Sequence, residues 1–201
     1  MLFTIGDLIH IYNRGNNKQQ IFFNDDNYSF FLEKAKKHIF PVANILAYCL
    51  MPNHFHFLVQ ATDHSCKPKN IGGLVSTELA NGFRILQSSY TAAINKKEGR
   101  TGSLFQQNCK YKILVNSNTN NALHNDYATV CFHYIHQNPL KAELADKLEK
   151  WKFSSFNEYM HTRKFSLCKT EAAYEVLDIS RGRFYDNSYQ NIEPELLEKI
   201  F

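Results

Sequence analysis

Two apolar runs that meet at a short turn constrain the fold of this chain more than any other feature. "VANILAYCL" covers residues 42–50 and "MPNHFHFLVQ" covers residues 51–60, so each run has the length of a strand. The "MPN" turn between them is short enough to join neighbouring antiparallel strands. The two runs therefore predict a β-hairpin at the centre of a sheet.

Two histidines interrupt the apolar pattern of the second run. His54 and His56 are separated by one residue, and successive side chains of a strand point to opposite faces. The two imidazoles therefore share one face, while Phe55 and Phe57 share the other, which we expect to be core. Two imidazoles side by side suit a metal ion, although such pairs also occur as ordinary buried or surface groups.

Helical and strand-like segments alternate along the rest of the chain. Spacing and capping residues predict a strand at 7–14, helices at 24–40, 71–97 and 127–137, and a short strand at 111–115. With the hairpin, this order is that of an α+β sandwich of the ferredoxin-like (split βαβ) type, with a mostly antiparallel sheet and helices on it. We expect that domain to span residues 1–160 and a mostly helical C-terminal extension of unknown role to span 161–201.

Composition narrows the class of protein. Hydrophobic residues make up 44% of the 201 residues and aromatic residues 14%, which is typical of a folded chain. A net charge of +4 permits a nucleic-acid partner without requiring one, so any binding surface has to be a local cluster. Neither a secretion signal nor an apolar run long enough to span a membrane is visible, so we expect a cytoplasmic protein with no membrane partner.

The five cysteines also indicate a cytoplasmic protein. They are odd in number and scattered, and none forms a C-x-x-C pair: Cys49, Cys66, Cys109, Cys131 and Cys168. Such a pattern is typical of reduced thiols in a cytoplasmic protein, and the simplest interpretation of each is a small buried hydrophobic side chain.

A tyrosine and an asparagine on the last predicted helix complete a candidate catalytic site. Tyr134 and Asn138 are four residues apart, so they lie on one face of the helix. If this helix crosses the face that carries His54 and His56, two imidazole nitrogens and one amide oxygen can bind a divalent ion with positions left open for a phosphate. Tyr134 would then be the nucleophile that attacks phosphorus, although most helix tyrosines serve only in packing.

The residues close to Tyr134 in the sequence do not identify the base that would remove its proton. A tyrosine with a pKa of about 10 needs a base or a metal to ionise at neutral pH. His133 and His136 are close in sequence, but the helical periodicity places neither clearly beside Tyr134, so the base is unassigned. Gln137 is an alternative amide ligand that lies about 100° around the helix from Asn138, and we prefer Asn138.

Several separate blocks of the chain together resemble a known family. "MPNHFHFLV", "GSLFQ" (102–106) and "YIHQNPLKAEL" (134–144) are similar to the HUH single-tyrosine transposases. They are closest to the branch associated with repetitive extragenic palindromes, which "YNRGNNKQQIF" (12–22) and "WKFSSFNEY" (151–159) also match in order and spacing. The resemblance covers residues 8–160.

This resemblance implies a reaction and a role for each site residue. It implies that His54, His56 and Asn138 bind Mg or Mn and that Tyr134 is the nucleophile. The family cuts single-stranded DNA beside a hairpin, forms a 5′-phosphotyrosine link and rejoins strands through a free 3′-hydroxyl. Relatives include dimers as well as proteins that act alone, so a homodimer and a monomer both stay open.

Basic and amide side chains are the candidates for DNA contact. Arg14 lies with Asn13 and Asn16 in a polar turn that can contact a DNA backbone, and solvation of a loop explains the turn nearly as well. Lys110 and Lys112 alternate on a strand, so they share a face and can meet phosphates, although solubility explains them too.

The chain also departs from the family pattern. "QNCKYK" follows "LFQ" where relatives tend to have more basic residues, and Glu143 stands where glycine is common. Both changes leave the metal and tyrosine positions intact, but they bear on DNA affinity and target preference.

Two other functions remain as alternatives. One is a protein that binds single-stranded or hairpin DNA on the same fold without catalysis. The other is a small-molecule metalloenzyme with His64 as a third ligand, as in a cupin-like barrel. The long helical stretches and only eight glycines argue against a barrel.

Overall fold

In a computed structural model of the chain, which describes residues 3–117, 122–162 and 166–201, four strands form the central sheet. The strands of the described residues are β1 (Leu8–Arg14), β2 (Ala43–Met51), β3 (His54–Ala61), β4 (Pro68–Ile71), β5 (Leu74–Thr77) and β6 (Lys110–Val115). The order across the central sheet is β6-β1-β3-β2, and every neighbouring pair is antiparallel. The predicted hairpin is β2 and β3, with β1 inserted between β3 and β6. This order confirms the predicted ferredoxin-like sandwich.

Helices cover both faces of this sheet. The α-helices of the described residues are α1 (Asp25–His38), α2 (Asp63–Cys66), α3 (Glu78–Lys97), α4 (Ala122–Lys141), α5 (Phe156–Tyr159), α6 (Thr170–Val176), α7 (Phe184–Ser188) and α8 (Pro194–Glu198). On one face Phe55 packs between Phe31 of α1 and Phe83 of α3, with ring centroids 5.3 and 6.4 Å away. Phe55 and Phe57 are fully buried, as the alternation predicted. The opposite face lies under α4.

The predicted helix at 71–97 is wrong in its first two turns. Residues 68–77 form a second hairpin, β4 and β5, and α3 begins only at Glu78. Gly72 and Gly73 both adopt positive φ (57° and 86°), which is the conformation that a tight two-residue hairpin turn requires. Thr77 then begins the helix, because its side chain accepts a hydrogen bond from the backbone N–H of Ala80.

The helix that carries the tyrosine is longer than predicted at both ends. It continues through Pro139 to Lys141, because a proline in the last turn costs only one backbone hydrogen bond. The helix ends in a Schellman motif: the N–H of Glu143 donates to the Leu140 carbonyl and the N–H of Leu144 to the Pro139 carbonyl. Glu143 adopts φ +55°, a left-handed conformation that glycine adopts without steric cost.

The C-terminal extension contains three short helices, α6, α7 and α8. Its buried side chains join the same hydrophobic core as the sheet and α4, among them Leu167, Ile179, Phe184 and Ile200. The division of the chain at residue 160 stays a prediction.

Two composition-based expectations can be compared with this fold. Of the five cysteines, Cys49, Cys131 and Cys168 are buried, and Cys66 and Cys109 are partly buried. Within the described ranges, every helix is too short or too polar to cross a bilayer.

Candidate active site

The strand register gathers polar side chains on the sheet face beneath α4. Tyr12 lies opposite His56 and Arg14 opposite His54 in the pairing of β1 with β3, while His10 lies opposite Lys112 and Tyr12 opposite Lys110 in the pairing of β1 with β6. Residues that lie directly opposite in an antiparallel pair share a face. That face therefore carries His10, Tyr12, Arg14, His54, His56, Lys110 and Lys112.

Five of these residues, all except His10 and Lys112, line a cleft of about 330 Å³ between the sheet and α4. Its lining includes Arg14, His54, His56, Lys110, Tyr134 and Phe201. A wider groove of about 780 Å³ lies beside α3, but of the described residues that line it only Arg84 is charged and none is a histidine. The smaller cleft is therefore the candidate active site.

The hydrogen bonds of His54 determine which of its ring nitrogens carries the proton and which keeps a lone pair. Its Nδ1 lies 2.6 Å from Oδ1 of Asn53, and the Asn53 amide is oriented by donating Nδ2–H to the Lys18 carbonyl. Because an amide oxygen only accepts, Nδ1 carries the proton and Nε2 keeps its lone pair. Burial lowers the pKa of His54 to about 4, the nearby Arg14 charge acts in the same direction, and a hydrogen bond with Asn138 opposes them. His54 is thus neutral at pH 7, as a metal ligand must be.

His56 is fully buried and has the same arrangement. Its Nδ1 lies 2.9 Å from Nε2 of His10, which leaves its own Nε2 as the open atom. Burial lowers the pKa of His56 well below its usual value, and the neighbouring His10 and His54 add to that effect. Both histidines of the pair are therefore neutral.

Tyr134 and Asn138 meet the histidine pair from α4. The Tyr134 ring stands edge-on to the His56 ring, with centroids 5.9 Å apart. Asn138 donates Nδ2–H to the Tyr134 carbonyl at 2.9 Å, which leaves its Oδ1 as an acceptor. Burial raises the pKa of Tyr134 to about 12, nearby Cys131 and Cys49 add to the rise, and a hydrogen bond with Asn138 opposes it. The structure thus brings the predicted nucleophile and its three predicted partners together.

The donor set available to a cation is two imidazole nitrogens and one amide oxygen. Within the described part of the chain, no group of three or more His, Cys, Asp or Glu side chains is arranged to hold a metal ion. The amide of Asn138 is therefore needed to complete three ligands. His64, offered as a third ligand of a zinc enzyme, is exposed on α2 and does not line the cleft.

The predicted basic residues lie at the cleft and its rim. Arg14 and Lys110 line it, and Nε of Arg14 is buried without a hydrogen-bond partner. Lys112, on the same face as Lys110, donates from Nζ to the Phe201 carbonyl at 2.7 Å. A positive charge is thus available at the cleft from Arg14 and Lys110.

The two asparagines predicted to contact DNA make hydrogen bonds within the fold. Asn13 lines the cleft, but its Nδ2–H groups donate to Oε1 of Gln87 and to the carbonyl of Gln106. Asn16 donates to the Ser103 carbonyl and does not line the cleft. Direct contact of either residue with DNA stays a prediction.

His133, His136 and Gln137 of α4 make their hydrogen bonds with other parts of the fold and not with the tyrosine. Nδ1 of His133 lies 3.0 Å from Ser188 Oγ, and Nε2 of His136 lies 2.7 Å from Ser155 Oγ. Gln137 donates to the Ser188 carbonyl and to another carbonyl of the C-terminal extension. The amide nitrogen of Gln137 is thus bonded to the C-terminal extension. The base that activates the tyrosine stays unassigned.

Sequence reasoning missed four residues of the site. His10 and Tyr12 could have been found, since they alternate with Arg14 along the first predicted strand. Lys141 lies two turns after Tyr134 and places Nζ 5.2 Å from the centre of its ring. Phe201 carries no such signal, because only the tertiary structure brings the C-terminal extension to the cleft.

Comparison with known proteins supports the fold. Neither a family model nor a curated protein matches the chain. Among solved structures, a REP-associated tyrosine transposase bound to a REP hairpin is similar, with a TM-score of 0.56 over 83% of this chain and 86% of that chain. The two sequences are 15% identical over that alignment. The chain therefore shares its fold with a tyrosine transposase.

Proposed function

We propose that this protein cleaves and rejoins single-stranded DNA at hairpin-flanked sites through a 5′-phosphotyrosine link on Tyr134. The observation that supports the proposal is the convergence of Tyr134, His54 and His56 at one cleft, with Asn138 hydrogen-bonded to both His54 and Tyr134. A fold shared with a transposase that is bound to a DNA hairpin supports the choice of substrate.

A divalent ion, Mg or Mn, fits the donor set of this site. Nε2 of His54, Nε2 of His56 and Oδ1 of Asn138 would hold it, because the other polar atoms of these side chains are engaged within the fold. Such an ion, when bound, supplies positive charge to a phosphate oxygen.

The chemical step is an exchange of one phosphodiester for another. Tyr134 Oη attacks phosphorus and loses its proton, while the bond from phosphorus to the 3′ oxygen breaks and that oxygen gains a proton. The 5′ end stays attached to the tyrosine, and a 3′-hydroxyl of another strand can reverse the step. Because each step forms one ester bond and breaks one, rejoining needs no external energy source.

Positive side chains around the cleft suit a phosphate substrate. Arg14 and Lys110 line the cleft, and Lys141 approaches the face of the Tyr134 ring. A positive charge therefore lies beside the ring of the proposed nucleophile. The same charges attract the DNA backbone from solution.

A covalent-adduct assay tests the proposal. Labelled single-stranded hairpin oligonucleotides are incubated with the protein and Mn, and the products are separated on a denaturing gel. We expect a metal-dependent protein–DNA band that is lost in Tyr134→Phe and in His56→Ala.

Two matched tyrosine variants sharpen that assay. Tyr12→Phe removes the other tyrosine of the cleft, and Tyr127→Phe removes one from the same helix as the proposed nucleophile. Both are expected to form the adduct. A band that survives Tyr134→Phe and disappears in Tyr12→Phe would assign the nucleophile to β1 and contradict the proposal.

DNA binding without catalysis is the second candidate. The absence of catalysis is favoured by the Phe201 ring, which contacts the Tyr134 ring and obstructs access to it, and by burial, which raises the pKa of Tyr134 to about 12. Hairpins retained on a native gel by wild type and Tyr134→Phe alike, with no covalent band under any condition, would favour this candidate.

A further inference from the structure

A second histidine lies directly behind the proposed metal ligand His56. In the pairing of β1 with β3, His10 is the diagonal neighbour of His56, and their rings stack with centroids 5.1 Å apart. Nε2 of His10 lies 2.9 Å from Nδ1 of His56. His10 itself is fully buried and does not line the cleft, so it contacts a proposed ligand rather than a substrate.

A backbone carbonyl on the other side of His10 determines where its proton resides. Nδ1 of His10 lies 2.8 Å from the carbonyl oxygen of Ile200, in the C-terminal extension. A carbonyl oxygen only accepts hydrogen bonds, so Nδ1 of His10 must be the donor. Of the described residues, those bonded to its ring nitrogens are Ile200 and His56, neither of which carries a negative charge, so this fully buried ring is neutral with a single proton.

The direction of the next hydrogen bond then follows. Since the one proton of His10 is on Nδ1, its Nε2 can only accept, and Nδ1 of His56 must donate to it. A neutral His56 with a proton on Nδ1 has its lone pair on Nε2. That is the nitrogen which a metal ion in the cleft would bind.

We propose that His10 is a positioning residue, which receives the Nδ1 proton of His56, is itself anchored on the Ile200 carbonyl, and so holds His56 in the tautomer that binds metal through Nε2. This chain of hydrogen bonds makes the end of the C-terminal extension part of the outer shell of the site. The consequence for metal binding rests on the function proposed above, whereas the tautomer itself does not.

The C-terminal extension gains a role from this arrangement. Ile200 is 190 residues away from His10 in sequence, and its own side chain is fully buried in the common core. Packing of that side chain fixes the position of the carbonyl to which His10 donates. The C-terminal extension, to which the sequence assigned no role, thus helps to orient the proposed metal ligand His56 through His10.

Nitrogen-15 NMR of the histidine rings in the metal-free protein tests the tautomer directly. We expect wild-type His56 at pH 7.5 to show a pyrrole-like shift at Nδ1 and a pyridine-like shift at Nε2. In His10→Phe, which keeps a stacking ring without nitrogens, His56 should move toward the Nε2–H form that histidine prefers in water. His10→Gln, whose amide offers both an acceptor and a donor, should retain the wild-type tautomer.

Mn affinity, measured by electron paramagnetic resonance, provides the second readout. Removing an outer-shell partner of a metal-bound histidine typically weakens binding about 10- to 100-fold, so His10→Phe should lose affinity by that factor. His10→Gln should recover most of it. His64→Phe, which replaces an exposed histidine that does not line the cleft, serves as the control, so its His56 tautomer and its Mn affinity should match wild type.

The possible outcomes separate this inference from the proposed function. A wild-type His56 in the Nε2–H form, or an unchanged tautomer in a folded His10→Phe, would overturn the inference. If His10→Phe fails to fold, the tautomer in wild type and in His10→Gln decides instead. Expected tautomers in a protein that does not bind Mn would support the role of His10 and overturn the metal site.

Discussion

The Phe201 ring stands edge-on to the Tyr134 ring, with 5.3 Å between their centroids and an angle of 87° between their planes. It also contacts the rings of His10, Tyr12 and His56. Phe201 therefore occupies the part of the cleft that a nucleotide has to enter to reach the proposed nucleophile.

Removing this ring should favour DNA binding. Aromatic pairs of this kind contribute about 0.5–1.5 kcal/mol each, and a displacement cost of about 1.4 kcal/mol corresponds to about tenfold in affinity. We expect Phe201→Ala to bind a labelled single-stranded hairpin oligonucleotide roughly tenfold tighter than wild type, as measured by fluorescence anisotropy. Phe23→Ala removes a ring of similar exposure outside the cleft and is the matched control. Unchanged or weaker binding by Phe201→Ala would show that the ring does not compete with DNA.

The end of α4 provides a test of backbone strain. Glu143 adopts φ +55° in the Schellman motif that ends the helix, and a left-handed conformation costs a residue with a Cβ about 1–2 kcal/mol. Glu143→Gly should therefore raise the free energy of unfolding by about 1 kcal/mol, as measured by urea denaturation. Glu143→Ala keeps the Cβ and is the control. If alanine stabilised the protein as much as glycine, the gain would come from losing the carboxylate and not from relieving strain.

Local patterns in the sequence were sufficient for the hairpin and for the pairing of functional residues within one element. Alternation along β3 predicts that His54 and His56 share a face, and helical spacing predicts the same of Tyr134 and Asn138. These predictions succeeded because each depends only on the geometry of a single strand or helix. The order of strands and helices also sufficed for the fold class.

Contacts between segments that are distant in the chain could not be predicted from the sequence. The hydrogen bond from His10 to Ile200 and the placement of Phe201 in the cleft depend on how the C-terminal extension packs, and no periodic pattern encodes that packing. The end of α4 was misplaced for a different reason. Pro139 usually marks a helix end, but here the helix continues for two more residues before Glu143 terminates it.

Close packing between α1 and α3 gives another prediction of stability. A Cβ at Gly82 would lie 2.6 Å from the carbonyl oxygen of His38 and 3.2 Å from Cδ1 of Ile39. Alanine is about 1 kcal/mol better than glycine inside a helix, but the clash with backbone should outweigh that gain. We expect Gly82→Ala to lower the free energy of unfolding by about 1–3 kcal/mol in urea denaturation.

An open glycine elsewhere in the chain serves as the control for that experiment. A Cβ at Gly182 would meet no other atom within 4 Å, so Gly182→Ala should leave stability nearly unchanged. If both variants were equally stable, α1 and α3 would not be in the close contact that the structure describes.

Buried His133 predicts a loss of stability in mild acid. Burial lowers the pKa of His133 to about 4, whereas in the unfolded chain histidine has its usual value of about 6.5. Below pH 6.5 the unfolded chain therefore binds a proton that the folded protein does not accept. The stabilisation from neutral His133 is complete above pH 6.5 and is lost as the pH falls toward 4. The loss amounts to about 3 kcal/mol.

Replacing the imidazole with an amide isolates this contribution. His133→Gln can keep a hydrogen bond to Ser188 but cannot gain the proton, so its stability should fall less steeply between pH 6.5 and pH 4. Urea denaturation across that range measures the difference as up to one fewer proton taken up on unfolding. His136 is also buried, with a pKa well below its usual value, and keeps part of the acid sensitivity in the variant. Equal slopes for the two proteins would mean that His133 takes up its proton while still folded, and its contact with α7 would then have to open before the chain unfolds.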